Sequence, residues 1–144
     1  MRLILSCFHI LALTLIFVVS TATISHAQSQ ATDDIQKTIE SQLFAFQADD
    51  AVTAYSFAAP NIQSIFPTPD RFMTMVKRGY QPVYRPQSYA FGEQRPLNGQ
   101  MAQEVQLIGP QGDSWTALYT LQQQSNGDWK ITGVQLVKSP GLSA

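Results

Sequence analysis

Apolar residues in this chain recur at helical spacing up to Gly79 and at every second position from Gln87 onward. That single change of step restricts the fold to helices followed by a sheet. Ile35, Ile39, Leu43 and Phe46 form one apolar stripe, with Gln36, Lys37, Glu40 and Gln47 turned toward water. Thr32 or Asp33 is placed to cap this helix, and Asp33 and Asp34 suit its positive end. A second helix is predicted from Asp49-Asp50 through Ala51, Ala54, Tyr55 and Ala58 to the stop at Pro60. Asn61 to Phe66 reads as one short turn. Thr68-Pro69-Asp70 then opens a helix that buries Phe72, Met75 and Val76 and ends on Lys77, Arg78 and Gly79. Tyr80 to Pro86 is expected to be extended, because Pro82 and Pro86 each disfavour helix in the residue before them.

Beyond Gln87 four alternating groups follow: Tyr89 and Phe91; Met101, Val105 and Leu107; Trp115, Ala117, Tyr119 and Leu121; and Trp129, Ile131 and Val137. Leu97-Asn98-Gly99, Gly109 to Asp113 and Ser125 to Asp128 carry the glycines and asparagines that tight connections require. The fold class is α+β, with N-terminal helices on a curved antiparallel sheet of at least four strands. Leu118, Val134 and Leu136 read as apolar residues on the opposite faces, which would suit a homodimer through the sheet.

The first 27 residues read as a signal peptide. Arg2 precedes an apolar run from Phe8 to Val19, broken only by His9 and Thr14, and Ser25-His26-Ala27 places small residues at the cleavage positions. The run is too short and too polar at its end for a spanning helix. Residues 28–32 then form a polar tether and 33–144 a single domain. Cleavage after Ala27 removes Cys7 and both histidines, and with them thiol and imidazole chemistry and the usual zinc ligands. It also removes one of the nine basic residues and none of the ten acidic ones, leaving a slightly acidic domain with no footprint for nucleic acid. No metal and no cofactor is expected, and no membrane contact after cleavage.

The run Ile39 to Pro86, with Ala45-Phe46-Gln47-Ala48-Asp49-Asp50, Phe57-Ala58-Ala59-Pro60, Gly79-Tyr80 and Arg85-Pro86, resembles a bacterial exported family catalogued as a domain of unknown function (4864). Gly127 to Val134 and the Pro140-Gly141 tail carry the same resemblance. That family is similar to the nuclear transport factor 2-like, cystatin-like superfamily. The resemblance implies a cone of helices seated in a bent sheet, and a periplasmic rather than extracellular location. It implies no activity, because the superfamily hosts isomerases, dehydratases, hydrolases and binding modules alike.

Candidate site residues therefore come from this chain alone. Asp49 and Asp50 are the strongest carboxylate feature. One of them would be a general base if an apolar pocket raised its pKa, with Tyr55 beside it, whereas the capping reading, which we favour, places Asp50 at a helix start. Tyr55 and Tyr119 are candidates to line a ligand pocket, one from a helix and one from a strand. Arg85, held between Tyr84 and Pro86, would grip a ligand carboxylate or pair with Glu93 or Glu104. Three function classes follow: a non-enzymatic module binding a small apolar ligand or a protein, a cofactor-independent isomerase or hydrolase using Asp49 or Asp50 with Tyr55, and an assembly module that dimerises.

Overall fold

The computed structural model describes residues 22–140. Arg2, Cys7 and His9 and the residues beyond Pro140 lie outside the described residues. Five helices, α1 (Ala22–Gln47), α2 (Ala51–Ser56), α3 (Pro60–Ile65), α4 (Pro69–Gly79) and α5 (Gln81–Tyr84), precede four strands, β1 (Ser88–Leu97), β2 (Gln100–Ile108), β3 (Ser114–Gln123) and β4 (Trp129–Lys138). The strands pair antiparallel in chain order, a meander built from three hairpins. No helix among the described residues is long and apolar enough to cross a membrane.

Burial follows the α1 stripe closely. Ile35, Ile39, Leu43 and Phe46 are 0–2 % exposed and meet Val105, Leu107, Ala117, Tyr119 and Leu121 from the inner sheet face. The helix begins earlier than the caps at Thr32 and Asp33 suggest. Residues 28–32 belong to α1 rather than to a tether. Thr32 is not a cap, since its hydroxyl shares its one proton between the Gln28 carbonyl at 3.0 Å and Gln94 Oε1 at 2.7 Å. Intrahelical back-bonding lets a threonine sit inside a helix, and the second bond ties this turn to β1.

The proline-bounded stretch also departs from expectation. Gln81–Tyr84 is a helical turn, not an extended segment. Pro82 stands in its first turn, where its missing N–H and fixed φ are no handicap. α4 starts as the sequence predicts: the Thr68 side chain accepts from the Arg71 N–H at 3.3 Å. Its buried side differs by one residue, with Phe72, Met73 and Val76 fully covered and Met75 only half-buried.

β4 changes phase midway. Tyr119 faces Val134 and Ala117 faces Leu136, but Thr120 faces Gly133 while Leu121 faces Ile131, so one extra residue is inserted at Thr132. A bulge of this kind sends successive inward positions out of alternation. Val134 and Leu136 consequently pack on the core with Trp129 and Ile131, and Val137 points outward at 57 % exposure. This corrects two readings together. Val137 does not share a face with Ile131, and Val134 and Leu136 do not build an outer dimer surface with Leu118. The start of β4 is not a free edge either. Ala59 donates to the Ile131 carbonyl and the Ile131 N–H to the Phe57 carbonyl, both at 2.8 Å, which fixes the helical layer to the sheet.

Candidate functional site

A cleft of about 310 Å³ opens where α4, α5 and the end of α1 stand over β4. Its floor is Phe46, Phe72, Val76, Val83 and Ile131, each only 2–4 % exposed. Ile62, Phe66, Met75, Tyr80 and Val134, all half-buried, surround the mouth. The inward-turning bulge of β4 is what puts Val134 there. Three of the rings form a cluster, with Phe72 at 6.0 Å from Phe46 and 6.4 Å from Phe66 between centroids, in the tilted and edge-on arrangements that ring quadrupoles favour. Gln42 is the one amide on the wall, and its Nε2 is committed to the Ala54 carbonyl at 3.1 Å. No carboxylate, amine, guanidinium or imidazole is among the described residues that line the cleft.

The carboxylates singled out from the sequence stand elsewhere. Asp50 caps α2, accepting the Thr53 N–H at 3.0 Å, and hydrogen bonds from the Thr53 side chain and then its N–H hold its carboxyl below the usual range. Asp49 closes α1 in a left-handed conformation, φ 55°, and the Asp50 N–H then reaches back to the Ala45 carbonyl at 2.9 Å. This is the Schellman ending, usually given to glycine because other residues are strained there; aspartate is among those that tolerate it. Asp49 is no bare solvent-facing end. It receives the Tyr84 hydroxyl, Arg85 Nη2 at 2.7 Å and Lys77 Nζ at 3.3 Å. Arg85 lies over the Tyr84 ring at 4.1 Å and also donates to the Phe46 carbonyl at 2.5 Å.

Arg85 is thus a structural clasp between α5 and α1. It does not pair with Glu93 or Glu104; Glu104 is bonded by Arg95 at 3.3 Å. The Tyr84 hydroxyl is the first cause holding the Asp49 carboxyl below its ordinary 3.8, ahead of Lys77 and Arg85. A depressed carboxyl stabilises the fold above its unfolded pKa and ceases to do so as pH falls through the folded value. Wild-type protein should therefore lose stability below about pH 3.8 more steeply than Asp49→Asn, which tolerates the same backbone but cannot titrate. Acid-unfolding curves of the two that run parallel would show the clasp to be idle.

Tyr55 donates to the Phe66 carbonyl at 2.7 Å and stacks obliquely on Phe72 at 5.6 Å, bracing the cleft from behind. Tyr119 is wholly buried with no partner for its hydroxyl among the described residues, and desolvation pushes its pKa up. Neither lines the cleft; Asp49 and Arg85 meet in the clasp, but the five residues Asp49, Asp50, Tyr55, Arg85 and Tyr119 do not converge on one place. The cleft residues were visible in the sequence only as core: the stripe Phe72, Met75 and Val76 is legible, but not the space beside it.

A family model described as Domain of unknown function (DUF4864) matches residues 28–144. No curated protein and no solved structure matches the chain.

Proposed function

We propose, from the premise that this chain belongs to the DUF4864 family, that it is an exported, non-enzymatic module that takes a small apolar ligand into the cleft between α4 and β4. The observation that carries this reading is the wall itself. Apolar floor, aromatic mouth and a lining without a charged side chain among the described residues suit a molecule driven in by the hydrophobic effect. The alternative, an isomerase or hydrolase built on Asp49 or Asp50 with Tyr55, has its proton-transfer groups engaged in a clasp, a cap and a backbone bond. A general base must lie within hydrogen-bond reach of the proton it removes.

The neutral fluorophore N-phenyl-1-naphthylamine reports on such a site. Met75→Trp fills the mouth from a half-buried position without touching the floor. It should weaken probe binding by roughly tenfold or more, equivalent to about 1.4 kcal/mol, with little movement of the unfolding midpoint. Equal probe affinity in wild type and variant would place the ligand elsewhere and end this reading.

A further inference from the structure

The same wall discriminates among apolar ligands, and this inference rests on the binding role proposed above. Arg71, Lys77 and Lys130 neighbour the lining residues Phe72, Val76 and Ile131 in sequence, and Arg85 holds the Phe46 carbonyl, yet none of these four cations lines the cleft. Lys77 and Arg85 are occupied by Asp49, at 3.3 and 2.7 Å, Lys130 donates to the Ser56 carbonyl at 2.8 Å, and Arg71 is exposed and outside the lining. No carboxylate among the described residues lines the cleft to meet a ligand cation. A charged group carried to this floor would lose its hydration and find no counter-ion, a cost that apolar packing does not recover. An uncharged polar group, by contrast, needs no counter-ion, and Tyr80 and the carbonyl oxygen of Gln42 belong to lining residues with hydrogen-bonding capacity left over.

Shape narrows the class further. The volume of about 310 Å³ lies at the small end of ligand sites, and Phe46, Phe72 and Phe66 supply ring faces and edges at centroid spacings of 6.0–6.4 Å. A flat ring seated among them gains aromatic contacts that a saturated chain of equal size does not. We infer that the cleft selects small, uncharged, ring-bearing molecules of one or two fused rings, and rejects both fatty-acid-like anions and amines.

Four compounds on one skeleton test this by displacement of N-phenyl-1-naphthylamine at pH 7, using protein purified as the producing cell processes it: 2-naphthol, decahydro-2-naphthol, 2-naphthoate and 2-naphthylmethylammonium. The expected order puts 2-naphthol first, its saturated counterpart about two- to tenfold weaker, and both ions at least about 100-fold weaker. Naphthoate or the ammonium binding within tenfold of naphthol, in a manner that Met75→Trp suppresses, would overturn the charge selectivity and leave the apolar site standing. Decahydronaphthol matching or exceeding naphthol would overturn the preference for rings. Failure of all four to bind, or binding that Met75→Trp leaves unchanged, would remove the site and the selectivity together.

Discussion

Replacing Phe72 by alanine will lower the stability of this domain by about 3–5 kcal/mol, the range for truncating a fully buried aromatic. Phe72 is 4 % exposed, and its ring is the one shared by three aromatic contacts, to Tyr55 at 5.6 Å, Phe46 at 6.0 Å and Phe66 at 6.4 Å. It therefore joins α1, α2, α4 and the end of α3 at one point. A cavity there adjoins an existing cleft, so collapse of the surroundings offers little relief, and the loss should fall in the upper part of that range. Folded domains hold only about 5–15 kcal/mol in all. Urea denaturation should show the midpoint moving far down with the slope unchanged, and Phe72→Leu recovering most of it. A shift of less than about 1 kcal/mol, typical of exposed positions, would mean that the helical layer is not packed through this ring.

Tyr119→Phe should act in the opposite direction. The residue is 0 % exposed on the inner face of β3, between Gln103 of β2 and Val134 of β4, and its hydroxyl is buried without a hydrogen-bond partner among the described residues. An unpaired buried donor costs about 1–3 kcal/mol of desolvation, and removing the oxygen while keeping the ring should return a gain of that order. The same desolvation raises the phenol pKa, so the hydroxyl stays protonated throughout the accessible pH range. A rise in unfolding midpoint for Tyr119→Phe is the expected result. A fall of 1 kcal/mol or more would instead reveal a bonded partner for that oxygen, such as an internal water.

These outcomes bear on how much of the molecule could be read from residue order. Local rules were enough wherever a neighbour three or four positions away does the work. Thr68 capping α4, Asp50 capping α2, the α1 stripe and the Asn98-Gly99 turn, with φ values of 50° and 77°, are all of this kind. Residue order is silent where a distant partner decides. Arg85 lies 36 positions from Asp49, and nothing in its own surroundings distinguishes that carboxylate from Glu93 or Glu104. Gln81–Tyr84 turns helical because Tyr84 and Arg85 are held against the end of α1, which outweighs the weak extended preference before Pro82. The cleft itself belongs to no element. It is the space left when Phe72, Val76, Val83 and Ile131 pack only along their edges, and a void of that sort has no residue to announce it.

The extra residue at Thr132 gives β4 a length constraint that composition does not display. Up to Ile131 the strand obeys one parity, and from Val134 it obeys the other. Loss of a single codon between them would bring Ile131 and Val134 to ordinary two-residue spacing and keep both halves turned inward, whereas loss of one between Val134 and Leu136 would turn Leu136 to water. Within this strand the count is free to change by one at the bulge and nowhere else.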